Sequence, residues 1–441
     1  MGHSNRIIKV STTELKLFAK IFDGKDEWEG SRLPVIHAKQ LLSVLEKLSL
    51  QPLTINSLGK DVFYTTCFGE TQAISSGSII KNVHFPNTPY ELIYSGAHIG
   101  VANPLFKTSR KDCSSRYDFD PIDLSSIPED YLQRCNFSPL YESNGTFFQK
   151  TEWGSYYDKE YRIVMRRMLN IIGERTLMPC IIPPRTAHIS TVFGLAVNKY
   201  NLFSLAGIMA SLVMDFYVII TSKADCTGDI VSFMPLIPDS EYSKEISART
   251  ALLNCLNNTY SDLVKKIEIK KFTTCCWSKT DMRLNNDYFS SFDGIWTKDF
   301  PIRNDYARRF ALVEIDVLTA MSMGITKSEL VAIYKVQFPT LFKNESDTWY
   351  DANGRIVFTC NTNLPGIGFT RKEWENGIKG APAGQKFYRT ITDDTMPGGP
   401  VERTIEYVAP FDRCDREQDY ETAWRFFEEK YGNTQNDSTG E

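Results

Sequence analysis

The sequence predicts a mixed α/β (α+β) chain: a strand-and-loop lobe, helical-bundle elements and a C-terminal α/β lobe. Three observations predict it. Apolar residues recur at helical spacing near both ends and again between residues 307 and 336. From about Gln51 to Lys150 that period breaks into short apolar runs separated by Gly, Pro, Ser and Asn. Met178, Cys180, Ile181 and Ile182 then make a compact run suited to a buried strand, closed by Pro183 and Pro184, neither of which donates to a ladder. With 441 residues, 42% of them hydrophobic and 24% charged, the chain has the composition of a folded protein and length for two or three lobes.

The elements follow in order. Ser11 and Glu14 form a capping-box pattern, so the chain is expected to open with a helix carrying Leu15, Phe18 and Phe22 on one face. Leu41, Leu42, Leu45 and Leu48 predict a second helix over Ala38 to Leu48. Arg162 and Arg166, one turn apart with Arg167 beside them, suggest a short helix over Tyr161 to Ile171. A helix over Leu202 to Met214, a buried strand over Phe216 to Ile220 and a helix over Ile246 to Leu263 come next, and the polar, aromatic stretch Trp277 to Arg303 reads as an insertion or linker. Ala307 to Met323 and Thr326 to Val336, separated by Gly324, predict a helical hairpin. Asp351-Ala352-Asn353-Gly354 predicts a turn into a strand over Arg355 to Cys360. A last helix spans Arg416 to Tyr431, and the tail 433–441 is expected to be disordered. The implied segments are 1–50, 51–245, 246–340, 341–432 and the tail.

Composition narrows the chemistry. A formal charge of −4 means that any grip on nucleic acid comes from local patches. The ten cysteines have no CxxC pairing and read as reduced cytoplasmic thiols; adjacent Cys275 and Cys276 lack the partners of a zinc site, so no metal is assigned. MGHSNRIIKV has no apolar signal core, and Leu202 to Ile220 carries Asp215 and reads as buried structure, so no membrane is expected. No glycine-rich or Walker fingerprint follows a strand; Gly366-Ile367-Gly368 is a fragment of one. Asn87-Thr88-Pro89-Tyr90 approaches the N-P-P-Y loop of amino-methyltransferases but reads as structural. Pro238-Asp239 with Glu268-Ile269-Lys270 loosely matches a metal-dependent nuclease. No catalytic residue is assigned.

ERTLMPCIIPPRTAH, residues 174–188, sets a strand-like run against a polar tip, which places Arg185 and His188 on an exposed exit loop. A guanidinium and an imidazole there suit phosphate oxygens or base edges; the plainer reading is a strand end with solvated charges. Lys107, Arg110, Lys111 and Arg116 form a loop cluster suited to phosphates, or an ordinary solvated loop. Arg166, Arg167, Arg175, Arg185 and His188 form a second group. If both groups share a face they make a cationic groove, in which Arg185 or Asn103 is suited to read bases.

Several stretches together resemble one family. They are FYTTCFGETQAISSGSI, IYSGAHIGVANPLFKTSRKDC, YDFDPIDLSSIPEDYLQRCNFSP, YRIVMRRMLNIIGERTLMPCIIPPRTAH, ARTALLNCLNNTYSDL, FALVEIDVLTAMSMGITKSELVAIYKVQFP, WYDANGRIVF and TDDTMPGGPVERTIEYVAPFDRCDREQDYETAW. In this order, over roughly residues 30 to 430, they resemble the C-terminal target-recognition region of large adenine-specific DNA methyltransferases of type II restriction-modification and DISARM-like phage-defence systems. The family pattern often reads SGPH, PRTNY and IIPPG. Ala97, Gln133-Arg134-Cys135-Asn136-Phe137 and Arg185 depart from it.

The resemblance implies a DNA target-recognition module, with residues 51–245 as its recognition lobe. Its implied partners are double-stranded DNA and a methyltransferase catalytic subunit or domain, with S-adenosylmethionine held on that partner. The catalytic part of such enzymes has no counterpart in residues 1–441, so either a separate specificity subunit or a truncated remnant is expected. Two rival readings are a cryptic nuclease using Asp239, Glu268 and Lys270, and a scaffold that docks a partner through the 307–336 hairpin.

Overall fold

The computed structural model describes residues 8–36, 38–141 and 147–432; the tail 433–441 lies outside them. Ser11 caps α1 (Thr12–Asp23) in a full capping box with Glu14, and α1 packs on α2 (Leu42–Ser49). The strand-and-loop region follows with β1 (Val62–Thr65), β2 (Ile79–His84), β3 (Ile93–Tyr94), β4 (Lys107–Ser109), β5 (Phe119–Pro121) and β6 (Cys135–Pro139). Next come β7 (Arg162–Arg166), β8 (Pro179–Ile182), β9 (Ala187–His188) and β10 (Val192–Val197).

Four of these strands build an antiparallel sheet in the order β1-β10-β7-β8. One row across it is Thr65, Gly194, Val164 and Cys180. Both faces are covered: Ile163, Met165 and Ile181 join the large core on one side, whereas Val164, Cys180 and Ile182 join a smaller cluster with Leu92, Tyr94 and Ile99 on the other. This explains why Arg162–Arg166 is a strand where the arginine spacing suggested a helix. A strand buried on both faces shows no alternation, and its β-branched Ile163 and Val164 suit the pleat.

The helical layer begins with α3 (Leu202–Ala210) and α4 (Leu212–Ile220), each capped by a side chain, Asn201 and Ser211 respectively. The strand expected over Phe216 to Ile220 is therefore the end of a helix; every residue of α4 is buried, and burial on all sides removes the pattern that separates helix from strand. Among the described residues no single helix is long and apolar enough to cross a membrane; α3 and α4 together pass that test but bend by 63° at their junction. α5 (Glu241–Asn254) packs on α3 at Gly207, where a Cβ would strike Ile246 and Thr250. It starts earlier and ends sooner than Ile246 to Leu263 because Ser240 caps it and the chain turns at Cys255.

α6 (Asp305–Ser322) lies against α3, α4 and α5; Gly324, in the left-handed region, then turns the chain into α7 (Lys327–Gln337), completing the expected hairpin. α8 (Pro339–Ser346) continues from it. The stretch Trp277 to Arg303 is core, not linker: Trp277, Phe289, Phe292, Trp296 and Phe300 are buried in the main cluster, and the Trp296 indole donates to the Cys255 carbonyl at 2.8 Å. That cluster draws on residues from Phe18 to Tyr431.

The C-terminal part contains β11 (Thr348–Tyr350), β12 (Ile356–Thr359), the long hairpin β13 (Lys386–Asp393) and β14 (Val401–Val408), β15 (Asp412–Arg413) and α9 (Arg416–Tyr431). The turn between β13 and β14 is tied to the strand-and-loop region: Arg134 donates to the Asp394 carboxylate at 3.1 Å, Tyr131 to the Thr395 carbonyl at 2.6 Å, and Arg403 pairs with Asp123 at 2.7 Å.

Candidate nucleic-acid interface

The β4–β5 hairpin carries the first cationic group. Lys107 pairs with Pro121, Thr108 with Asp120 and Ser109 with Phe119, leaving Arg110 to Asp118 as the connecting loop. Asp118 organises that loop by accepting from the backbone and hydroxyls of both Ser114 and Ser115, which holds its carboxyl below the usual range. Lys111, Arg116 and Tyr117 stand exposed on it. The Arg116 guanidinium donates to the Tyr117 hydroxyl at 2.6 Å, and Tyr117 is 72% exposed. Arg110 is neutralised by Asp120 at 2.9 Å.

The base of the hairpin is fixed from inside. Buried His98 accepts the Ser95 backbone N–H at 2.9 Å, lies 3.1 Å from the Ser109 hydroxyl and packs edge-on against Phe119. Burial pushes its pKa down to about 4, so it is neutral and acts as a spacer, not a ligand for phosphate.

Arg166, at the end of β7, meets this hairpin. Its Nε and Nη2 donate to the Ile99 carbonyl at 3.0 and 2.7 Å, and its guanidinium lies 5.6 Å from the Phe106 ring centroid. The Lys107 ammonium lies 5.3 Å from the same centroid. Burial lowers the Lys107 pKa first, and the Arg166 charge lowers it further. Burial pushes Arg166 down to about 10. The Arg166 charge thus opposes that of Lys107, the Asp120 carboxylate partly offsets it, and among the described residues neither cation has a carboxylate at ion-pair distance. An anion placed there relieves that repulsion.

Arg185 is exposed at the exit of β8 with φ +67°. Buried Arg162 makes the turn: its guanidinium donates to the Thr186 carbonyl at 2.8 Å, the Pro183 carbonyl at 2.6 Å and the Thr186 hydroxyl at 2.8 Å. Within the loop wrapped around this guanidinium, Arg185 is left-handed and exposed.

The remaining candidates fall elsewhere. His188, expected on the exposed loop, is fully buried on β9; its Nε2 lies 2.9 Å from the Tyr157 hydroxyl, and burial pushes its pKa down to about 3. The loop closes two residues early, at Thr186, because Ala187 and His188 form β9 and pair with β3. Arg175 is also interior, bound to Asp215 at 2.6 Å, and Asp215 further accepts from the backbone of Thr176 and Leu177. Arg167 faces Asp225 at 3.6 Å. Asn103 is half-buried in a turn, its side-chain Oδ1 accepting from the Leu105 N–H at 3.0 Å. The structure therefore gathers Lys107, Arg110 and Arg166 around the hairpin that carries Lys111 and Arg116, sets Arg185 at a separate exit loop, and uses Arg175 and His188 for the interior.

Phe106, Tyr117 and His98 escaped the sequence reading. The signal for the first two was an aromatic residue next to a cation, Phe106-Lys107 and Arg116-Tyr117; nothing local marked His98 as interior support. The Asn87–Tyr90 run is a turn in which the Asn87 N–H donates to Glu91 at 3.0 Å. Of the nuclease-like set, Asp239 accepts from the Ser243 hydroxyl at 3.1 Å and Glu268 pairs with Lys271 at 3.1 Å. Among the described residues no group of three or more His, Cys, Asp or Glu side chains is placed to hold a metal ion. Compared with known proteins, the chain matches no family model and no curated sequence.

Proposed function

We propose that this chain is a DNA target-recognition module that supplies sequence specificity to an adenine-specific methyltransferase. The S-adenosylmethionine site and the chemistry lie on a catalytic domain outside residues 1–441. The observation that supports this reading most is the convergence of Lys107 and Arg166 on Phe106 beside a hairpin whose exposed Lys111 and Arg116 have no carboxylate partner among the described residues. A phosphate backbone fits such a surface, since unpaired cations gain by displacing condensed counterions. Phosphate contacts set position; base reading falls to side chains that reach past them, for which Arg185 and Tyr117 are placed on exposed loops.

The test is duplex binding by the purified chain at several salt concentrations, with a library of sequences. Binding weakens steeply as salt rises and retains a sequence preference. Binding indifferent to both salt and sequence overturns the reading. The scaffold reading predicts a stable complex with a methyltransferase partner and no DNA affinity in the isolated chain.

A further inference from the structure

A cavity of about 290 Å³ opens between the end of β1, the helix Glu70–Ser75 and residues 147–157. The aromatic residues Phe68, Phe147, Phe148 and Tyr157 line it, as do Gln72 and Gln149. Among the described residues no Asp, Glu, Lys, Arg or His lines it. Cys67 sits in it with its thiol pushed up to about 11 by burial, so it too is neutral at ordinary pH. The described lining carries no formal charge of its own; the nearest charges, Arg162 and Asp158, stand behind it and act on Cys67 with opposite sign. A lining of aromatic residues with two exposed glutamines suits a flat, uncharged ring that bears donors and acceptors on its edge. The volume is at the lower end for small-molecule sites, about 300 Å³, which suits one ring system and not a chain of them.

The rim has the opposite character. Lys150 follows Gln149, and the Arg185 N–H donates to the carbonyl of Asp158, next to Tyr157. Both cations are exposed, and among the described residues neither pairs with a carboxylate. Phe147 is half exposed and stacks on Tyr141 with centroids 4.7 Å apart at 13°. The cavity and Arg166 lie on one sheet. Thr65, which lines the cavity, shares a row with Gly194 and Val164, and Arg166 is two residues along β7 from that row. At about 4.8 Å between strands and 3.4 Å per residue, the Thr65 and Arg166 backbones are roughly 12 Å apart. That is about three to four nucleotide steps along one strand of a duplex.

We propose that this cavity takes a single unpaired nucleobase, stacked against the Phe68, Phe147 and Phe148 rings and hydrogen-bonded at its edge by Gln72 and Gln149, with Lys150 and Arg185 at the rim for its flanking phosphates. The assignment of a base as the ring rests on the reading of this chain as a DNA-binding module. An extruded base in DNA and a free nucleoside present the same ring, and the experiment separates them.

Wild type, Gln72→Ala/Gln149→Ala and Ser76→Trp are titrated with the four deoxynucleosides, with a matched duplex and with the same duplex carrying one bulged base. At least one nucleoside binds saturably, and each variant weakens it by about tenfold, or roughly 1.4 kcal/mol, with unchanged thermal unfolding and matched-duplex affinity. Several-fold preference for the bulged over the matched duplex assigns the base to nucleic acid; equal affinity assigns the cavity to free nucleosides. Absence of saturable nucleoside binding, or variants that bind as wild type does, overturns the proposal. Matched-duplex binding without nucleoside binding removes the cavity assignment alone. Nucleoside binding without duplex binding removes the recognition-module reading and leaves the cavity.

Discussion

The Lys107 ammonium and the Arg166 guanidinium lie 5.3 and 5.6 Å from the centroid of one ring, that of Phe106, although 59 residues separate them in the chain. Neither residue is placed there by local propensity. Arg166 is held by the Ile99 carbonyl and Lys107 by the pairing of β4 with β5. Among the described residues neither cation has a carboxylate at ion-pair distance, and the proposed interface is built on that pair.

The first prediction concerns salt. Lys111→Ala/Arg116→Ala removes two exposed cations without touching the core. For two phosphate contacts, the slope of log affinity against log salt falls by about 2 in magnitude, from a coefficient near 0.9 per contact. Fluorescence anisotropy across a salt series measures it. An unchanged slope removes the hairpin tip from the interface.

Arg185 and Arg162 separate display from construction. Relieving the left-handed conformation by Arg185→Gly gains about 1–2 kcal/mol, against about 0.5–1 kcal/mol of glycine flexibility. The variant is expected to be as stable as wild type or slightly more so, and to bind DNA more weakly. Arg162→Leu strips the buried Thr186 carbonyl of its donor, at about 1–3 kcal/mol for an unsatisfied group, and leaves the Pro183 carbonyl only the Thr186 hydroxyl. Urea unfolding distinguishes the two outcomes.

Arg175 and Asp215 form an interior pair, so Asp215→Ala strands a buried guanidinium and is expected to cost about 3–5 kcal/mol. Calorimetry or urea unfolding checks this. A loss of DNA affinity in a variant of unchanged stability contradicts the assignment of Arg175 to the interior.

The buried histidines predict acid lability. The pKa of His188 falls from 6.5 to about 3 and that of His98 from 6.5 to about 4 in the folded chain. The unfolded state therefore binds more protons, and the stabilisation held above pH 6.5 is lost as pH falls toward those folded values. Urea unfolding at pH 7.5, 5.5 and 4.5 should show a decline that is shallower in His188→Gln. Equal pH dependence in both proteins refutes a neutral, buried His188.

Trp296 tests the placement of the 277–303 stretch. Its ring is buried and its indole bonded to the Cys255 carbonyl, so Trp296→Ala is expected to destabilise by about 3–5 kcal/mol. A tethered insertion would lose far less in the same urea titration.

The legible parts of the fold were those with local punctuation. Ser11 with Glu14, Thr326 with Glu329, Gly324 and the Pro183-Pro184 pair mark ends through groups a few residues apart, and each end lies where the sequence placed it. The illegible parts were buried on every side. Arg162–Arg166 and Phe216–Ile220 carry no amphipathic period because both faces meet apolar neighbours, so spacing and β-branching pointed the wrong way. The aromatic stretch around Trp296 looked like a linker because its polar residues break the period, while its rings reach the core one by one.

The same division holds for the candidate site. Composition and spacing by themselves determined that the chain is mixed α/β, that any cationic surface is local, and that Arg110, Lys111, Arg116 and Arg185 occupy loops at the ends of strands; Lys107, read with that loop, is the first residue of β4. Only the tertiary structure decided which cations remain available. Arg175 met Asp215 and His188 met Tyr157, whereas Lys107 and Arg166 met each other. The physical reason is that a charge is neutralised, buried or left free by partners that folding brings from far along the chain, and residue type alone carries no record of them.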